Sequence, residues 1–266
     1  MNIMSDKIIE TNEELPRRGD VFVEAFAKGL AVINAFNPSE GALTLSEVAK
    51  RAQLPPASTR RLLYTLVSLG YARIVDKRFE LCPKVLDLGF AYLASLPFRD
   101  TAHALLDDFA RDMGEVCTVS VLDTNDVIYI MRAEVRTQLA RSVGVGGRLA
   151  AHATSSGLIL LASLDNEALE SYLEQAPFEA YTNKTRNDAQ SIRNAVDFIK
   201  EHDWMLSSEE LELGVCGLAV PIRNRAGQTV AALGLSVNLA RYSSDEVKEI
   251  FLRKLQDIAQ QIGRVF

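Results

Sequence analysis

From Thr44 to Lys84 the chain reads TLSEVAKRAQLPPASTRRLLYTLVSLGYARIVDKRFELCPK, an order of signals that few folds accommodate. Leu45, Val48 and Ala49 recur at helical spacing. The turn Gln53-Leu54-Pro55-Pro56 follows, and Leu62, Leu63, Leu66, Val67 and Leu69 then make a second apolar helix face. Tyr71-Ala-Arg-Ile-Val and Phe79-Glu-Leu-Cys, around a turn at Asp76-Lys77, read as a short hairpin. The unit this predicts is a winged helix-turn-helix. The outward side of its second helix carries Ser58, Thr59, Arg60, Arg61 and Tyr64, a set of donors and guanidinium groups suited to a DNA major groove. The competing reading of Arg60 and Arg61 is an ordinary solvated helix face.

Charge distribution supports the first of these. The 266-residue chain has a net charge of -6, but residues 1–84 hold 12 Lys and Arg against 10 Asp and Glu, which leaves 17 against 25 for residues 85–266. From Lys50 to Lys84 the bases are Lys50, Arg51, Arg60, Arg61, Arg73, Lys77, Arg78 and Lys84, against only Asp76 and Glu80. A local excess of this kind can neutralise phosphates whatever the overall sign. Apolar residues make up 48% of the chain, enough for one large or two ordinary domains. No apolar run approaches the roughly 18 residues of a membrane span, and the start is polar and mixed in charge, so no membrane association and a cytoplasmic location are expected. Cys82, Cys117 and Cys216 are odd in number and far apart, which favours reduced thiols.

Residues 1–19 lack periodicity and are expected to form a disordered leader, followed by a DNA-binding domain over 20–84. Val21 to Phe36 reads as a helix buried on more than one side. Residues 85–98 read as an apolar linker helix stopped by Pro97, to be covered by a second copy of the chain. The remaining domain, 99–266, is expected to be α+β, with an antiparallel sheet and outer helices. Strands are predicted at 117–122, 127–133, 138–143, 217–222 and 229–237, and helices at 100–113, 155–163, 166–173, 188–202 and 244–265.

In the segment Arg148-Leu-Ala-Ala-His-Ala-Thr-Ser-Ser-Gly157, Thr154 or Ser155 is expected to cap a helix whose first N–H groups attract an anion. Gly157 would let a ligand carboxylate approach the backbone. A simple helix cap explains the same residues. Arg148 suits either a carboxylate partner or a structural salt bridge, and Arg132 with Glu134 suits a surface or dimer contact. His103, His152 and His202 form no i, i+4 pair and no Cys-x-x-Cys is present, so no metal and no cofactor are expected and His152 is read as structural or as a ligand donor. Nor does the sequence contain a phosphate loop, a Gly-x-Ser-x-Gly elbow or an obvious carboxylate pair, and this argues against an enzyme.

The stretches LTLSEVAKRAQLPPASTRRLLYTLVSLGY, GGRLAAHATSSGLILLAS and GVCGLAVPIRNRAGQTVAALGLSV resemble the IclR family of bacterial transcriptional regulators. RRLLYTLVSLGYA and FELCPKVLDLGFAYLASLP are similar to its members that control catabolism of aromatic acids such as protocatechuate and 4-hydroxybenzoate. The resemblance implies a homodimer or dimer of dimers on a double-stranded DNA operator, and a GAF-like effector domain that binds a small carboxylic acid. Contact with RNA polymerase stays open, as do other effectors such as glyoxylate, a sugar acid or an apolar compound. Carried onto this chain, the DNA contacts are Thr44, Ser46, Ala57, Ser58, Thr59, Arg60, Arg61, Tyr64, Lys77 and Arg78. Pro56 stands where the family has a lysine, which removes one expected phosphate contact. The effector set is Arg148, His152, Ser155, Ser156 and Gly157, completed by Ser207, Cys216, Gly217, Gly234 and Ser236.

Overall fold

A computed structural model describes residues 22–36, 41–134 and 143–265 of the chain. The leader and positions 138–142 of the strand expected over 138–143 fall outside them, and Val143 itself is not in a strand. The fold is α+β and divides into two compact units between Ala91 and Tyr92.

The first unit contains α1 (Glu24–Asn34), α2 (Leu45–Arg51), α3 (Pro56–Ser68), β1 (Ala72–Val75) and β2 (Arg78–Leu81). Thr44 starts α2 with a reciprocal cap: its hydroxyl accepts from the Glu47 N–H while the Glu47 carboxylate accepts from the Thr44 N–H. Pro56 opens α3 at a first-turn position, where the missing N–H costs nothing. Asp76 and Lys77, both at positive φ (49° and 64°), close a two-residue hairpin that pairs Val75 with Arg78. Leu43 bridges to Phe79, tying α2 to the wing. Val32, Val48, Leu63, Leu66, Ala72 and Phe79 form the core. Such a small core covers only one stripe of α1. Val32 is the buried residue of that helix, whereas Phe26 is 68% and Leu30 43% exposed, so the expected burial on several sides does not occur among the described residues. Leu69, placed by periodicity on the buried face of α3, falls just past the end of the helix and is exposed.

A 3-10 turn at Pro83–Leu86 precedes α4 (Asp87–Ala94), which crosses the division between the units. The expected linker helix is therefore shorter than 85–98, and Leu96 and Phe98 already belong to the core of the second unit.

That unit is built on a six-stranded sheet, every neighbouring pair of which is antiparallel. Its strands are β3 (Val116–Asp123), β4 (Asp126–Ala133), β5 (Arg148–Ala150), β6 (Met205–Ser208), β7 (Val215–Arg223) and β8 (Thr229–Asn238), in the order β5-β4-β3-β8-β7-β6. Alternation divides the strands between two cores. Cys117, Val119, Leu218, Val220, Leu233 and Leu235 meet α5 (Arg99–Met113) and α9 (Ser244–Gly263) on one face. Val127, Tyr129, Ala219 and Ala232 meet α6 (Ser155–Leu161), α7 (Asn166–Gln175) and α8 (Ala189–His202) on the other. The helices dock by heptad-like stripes: Val247, Phe251, Leu255, Ala259 and Ile262 of α9, and Ile192, Ala195, Val196 and Ile199 of α8. β5 and β6 are additions to the sequence reading. Both are short edge strands of three and four residues, too short to show a pattern of their own.

All three cysteines are free. Burial pushes the Cys117 thiol up to about 12 and the Cys216 thiol up to about 11, far from the thiolate form that reacts. Cys82 is only partly covered. In native protein at pH 8, iodoacetamide should therefore modify Cys82 alone, with Cys117 and Cys216 labelled only after denaturation; peptide mass mapping reads the outcome.

Candidate functional site

Two surfaces, one in each unit, hold most of the candidate residues. In the first unit α3 presents Ala57, Arg60, Arg61 and Tyr64 to solvent, with Ser58 half-covered. Neither Arg60 nor Arg61 pairs with a carboxylate among the described residues. Arg60 lies 5.6 Å from the Tyr64 ring centre, and Tyr64 stands edge-on to Phe79 at 6.1 Å, so the aromatic ring steadies the guanidinium on the face it presents. Thr59 does not belong to that face. It is fully buried, with its hydroxyl bonded to the Pro55 carbonyl at 3.1 Å, because at this helical spacing it shares the side of Leu63 and Leu66.

The basic patch is narrower than composition implies. Arg78 bonds the Ala42 carbonyl at 3.1 Å and Glu47 at 3.4 Å, which folds it back from the wing tip onto α2. Arg73 pairs with Glu80, Arg51 bonds the Ala35 carbonyl at 3.4 Å, and Lys84 bonds the Leu69 carbonyl at 2.9 Å. Lys50, Arg60, Arg61 and Lys77 are left without such a partner among the described residues. Thr44 has its hydroxyl engaged in the cap, while Ser46 stays exposed beside it.

In the second unit a partly enclosed cavity of about 80 Å³ lies between the sheet and α6. The structure brings six of the sequence-predicted residues to it: Ser155, Ser156, Ser207, Gly217, Gly234 and Ser236. Gly217 faces Ser236 across β7 and β8, with Gly234 two residues away on the same face. A Cβ at Gly217 would lie 2.9 Å from the Ser155 hydroxyl, and one at Gly234 would lie 2.4 Å from that of Ser156. The two glycines thus let the start of α6 sit directly on the sheet. Thr154 is the cap, accepting from the Gly157 N–H at 3.1 Å.

Four predicted residues lie elsewhere. Cys216 is adjacent to Gly217 on a strand and so points to the opposite face, into the core under α9. Gly157 abuts protein, with the Ala151 carbonyl oxygen 2.1 Å from where a Cβ would be. Arg148 bonds Asp123 at 2.7 Å and Asp126 at 3.0 Å on the surface, which is the structural alternative for that residue. His152 bonds the Glu179 carbonyl at 2.9 Å and packs between Phe178 and Tyr181.

Arg132 runs the other way. Expected to make a surface or dimer contact, it lines the cavity with a side chain only 9% exposed, bonded to Glu134 and to the Val143 carbonyl, each at 2.6 Å. A bulge explains the discrepancy. Val119 pairs with Met131 but Ser120 pairs with Tyr129, leaving Ile130 as an extra residue. Past it the parity of β4 reverses, so Arg132 and Tyr129, three apart, both reach the cavity. Thr118, opposite Arg132 in the register, completes this wall. Its place could be found from sequence, since it is the polar member of an alternating Cys117-Thr118-Val119 run. Glu210 is a further addition. It is 5% exposed and paired with Arg186; burial drives its carboxyl pKa up, with Arg186 opposing.

Comparison with known proteins agrees with this division of labour. Residues 25–75 match the IclR helix-turn-helix domain, and residues 90–264 match the C-terminal domain of the bacterial transcriptional regulator IclR. The Pca regulon regulatory protein of Pseudomonas putida is 38% identical over 87% of this chain and 80% of its own. The p-hydroxybenzoate hydroxylase transcriptional activator of Acinetobacter baylyi is 30% identical over 95% of this chain and 94% of its own. Among solved structures, an IclR homolog from Microbacterium hydrocarbonoxydans complexed with 4-hydroxybenzoate superposes with a TM-score of 0.78 at 26% identity, covering 90% of this chain and 97% of that one. With both of its units matched and most of its length aligned to regulators, the chain belongs to the IclR family of bacterial transcriptional regulators.

Proposed function

We propose that this regulator binds an operator through the Arg60–Arg61 face of α3 and answers to an aromatic carboxylic acid held in the cavity of its second unit. The observation that carries the effector half is the cavity itself, a small space whose wall combines the buried cation of Arg132 with the hydroxyls of Thr118, Ser155 and Ser156. Polar groups few in number and fixed in place, set among Val116, Val215 and Leu235, suit a flat apolar ring with one anionic substituent. The 4-hydroxybenzoate complex of the Microbacterium homolog supports the same class of ligand. The role is regulatory, not enzymatic, and belongs to the cytoplasm, where the operator is.

The DNA half implies a homodimer. Phe26 and Leu30 on α1 and Leu86 and Leu88 around the start of α4 are 68%, 43%, 70% and 54% exposed, an amount of bare apolar surface that a second copy would cover. Two copies would set paired reading helices on half-sites roughly 34 Å apart or multiples of that. Effector binding would then act by favouring one pose of the pair over another.

Thermal unfolding with protocatechuate, 4-hydroxybenzoate, β-ketoadipate, glyoxylate and gluconate tests the effector class. A true ligand at a hundred times its Kd should stabilise the native state by about 2.7 kcal/mol. The expected result is stabilisation by the aromatic acids, with a changed mobility shift of operator DNA in their presence. A response to glyoxylate or gluconate alone would transfer the cavity to another effector class.

A further inference from the structure

The cavity is smaller than an aromatic acid needs. Its volume of about 80 Å³ falls well below the roughly 300 Å³ at which pockets for small organic ligands begin, so part of its wall must give way. The walls on the sheet and on α6 are held by the hydrogen bonds of those elements. One stretch is not. Glu210, Leu211 and Glu212 line the cavity from the strap 209–214 that joins β6 to β7, and none of the N–H groups of residues 210–213 donates to a backbone carbonyl among the described residues. Both ends of the strap turn at positive φ, 60° at Glu209 and 77° at Gly214. They are also pinned together: the Glu209 N–H donates to the Val215 carbonyl at 2.8 Å, and the Gly214 N–H to the Glu209 carboxylate at 2.9 Å. A segment between two joined, sharply turning ends can swing as one piece.

What keeps the strap down is a single neighbouring segment. The Thr182 hydroxyl donates to the Glu209 carbonyl and the Thr185 hydroxyl to the Glu210 carbonyl, each at 2.6 Å, while Lys184 pairs with Glu209 and Arg186 with Glu210. Those four side chains lie within one short run of chain, outside any helix or strand. Apolar packing adds little at the far end of the strap, where Leu213 is 64% exposed. Polar contacts of this sort, with Lys184 half-exposed, are individually weak and can open without disturbing the core. We propose that the strap 209–214 is a gate of the cavity, held shut by Thr182, Lys184, Thr185 and Arg186, so that release of this latch admits the effector. This rests on reading the cavity as the effector site and adds how that site is entered.

A thiol placed behind the gate tests this without a ligand. Ser207 lines the cavity and is 5% exposed, so in full-length Ser207→Cys protein iodoacetamide reaches position 207 only when the wall opens. Where opening and closing outpace labelling, the rate follows the open population. Adding Thr182→Val and Lys184→Gln removes one hydrogen bond and one ion pair from the latch. Labelling at 207 should then rise about ten-fold, with Cys117 and Cys216, buried on the other face of the sheet, still unlabelled. Lys184→Gln alone alters a surface pair and should give a smaller rise in the same direction, which keeps the test open if the combined variant does not fold. An unchanged rate at 207 in the folded variants, or a rise shared by Cys117 and Cys216, overturns the gate: in the first case the latch guards nothing, and in the second it stabilises the whole fold. Repeating the labelling with excess 4-hydroxybenzoate separates the two readings. Protection at 207 is expected; a thiol that stays unprotected yet responds to the latch variants overturns the aromatic-acid reading and leaves the gate standing.

Discussion

Replacing Arg60 and Arg61 together by alanine should reduce operator affinity to the level of non-specific binding while leaving the fold intact. Each guanidinium that reads a guanine edge contributes about 1–3 kcal/mol of discrimination, or roughly ten- to hundred-fold in affinity, and a dimer presents each one twice. Folding should not suffer, because both side chains are solvent-exposed and take part in no ion pair among the described residues. Single variants separate the two positions. Arg60 is steadied by Tyr64, so Tyr64→Ala should reproduce part of the Arg60→Ala loss by releasing the guanidinium, without removing a charge. Lys77→Ala is the contrast. If the lysine of the wing turn meets phosphate, its loss should weaken all sequences alike and lower the salt slope by about one. Mobility-shift titrations on operator and scrambled DNA at several salt concentrations distinguish these patterns. If the double arginine variant binds operator as tightly as the parent chain, α3 does not meet DNA through this face.

The helix-turn-helix was legible because each of its signals is local. A Pro-Pro break and two apolar stripes lie between Leu45 and Leu69, and the partners they specify are a few positions away. Thr59 shows where such reading fails. Residue type suggested a donor for DNA, yet spacing places it with Leu63 and Leu66, and its hydroxyl is satisfied inside the helix by the Pro55 carbonyl. The bases divide for a similar reason. Composition counts charges, but Arg73, Arg78 and Lys84 spend theirs on neighbours that adjoin them only after folding.

The cavity was legible in part. Ser155 and Ser156 were marked by the helix-start signal, Ser207, Gly217, Gly234 and Ser236 by family resemblance, and the six converge in the structure. Arg132 was missed because strict alternation cannot anticipate a bulge, and a single extra residue at Ile130 moves it to the other face of the sheet. Glu210 was missed for a different reason. It follows a four-residue edge strand that has too little pattern to announce itself, and what marks it, a buried carboxyl paired with Arg186, exists only in three dimensions.

Gly157 carries the same lesson to its largest consequence for stability. From sequence, a glycine at the start of a helix next to a candidate anion site suggests close approach of a ligand. In the fold that approach is already taken by the chain itself. A Cβ at residue 157 would stand 2.1 Å from the Ala151 carbonyl oxygen, 2.4 Å from its Cα and 2.6 Å from its carbonyl carbon. Backbone atoms held by the Thr154 cap cannot swing aside as a side-chain tip could. Gly157→Ala must therefore push α6 away from the turn that precedes it, and every residue of that helix is buried. The cost should reach about 3 kcal/mol, the upper part of the range for overpacking a core, even though alanine is the better helix former. Gly234→Ala is the informative companion. Its nearest obstacle is the Ser156 hydroxyl at 2.4 Å, a rotatable group, so its cost should be smaller and should fall further in the Gly234→Ala, Ser156→Ala double variant. Denaturant unfolding of the three variants, followed through Trp204 in the second unit, measures both expectations. A Gly157→Ala protein as stable as its parent would mean that α6 is free to move on its supporting turn. The walls of the cavity, which include Ser155 and Ser156 of that helix, would then be adjustable and not fixed before the ligand arrives.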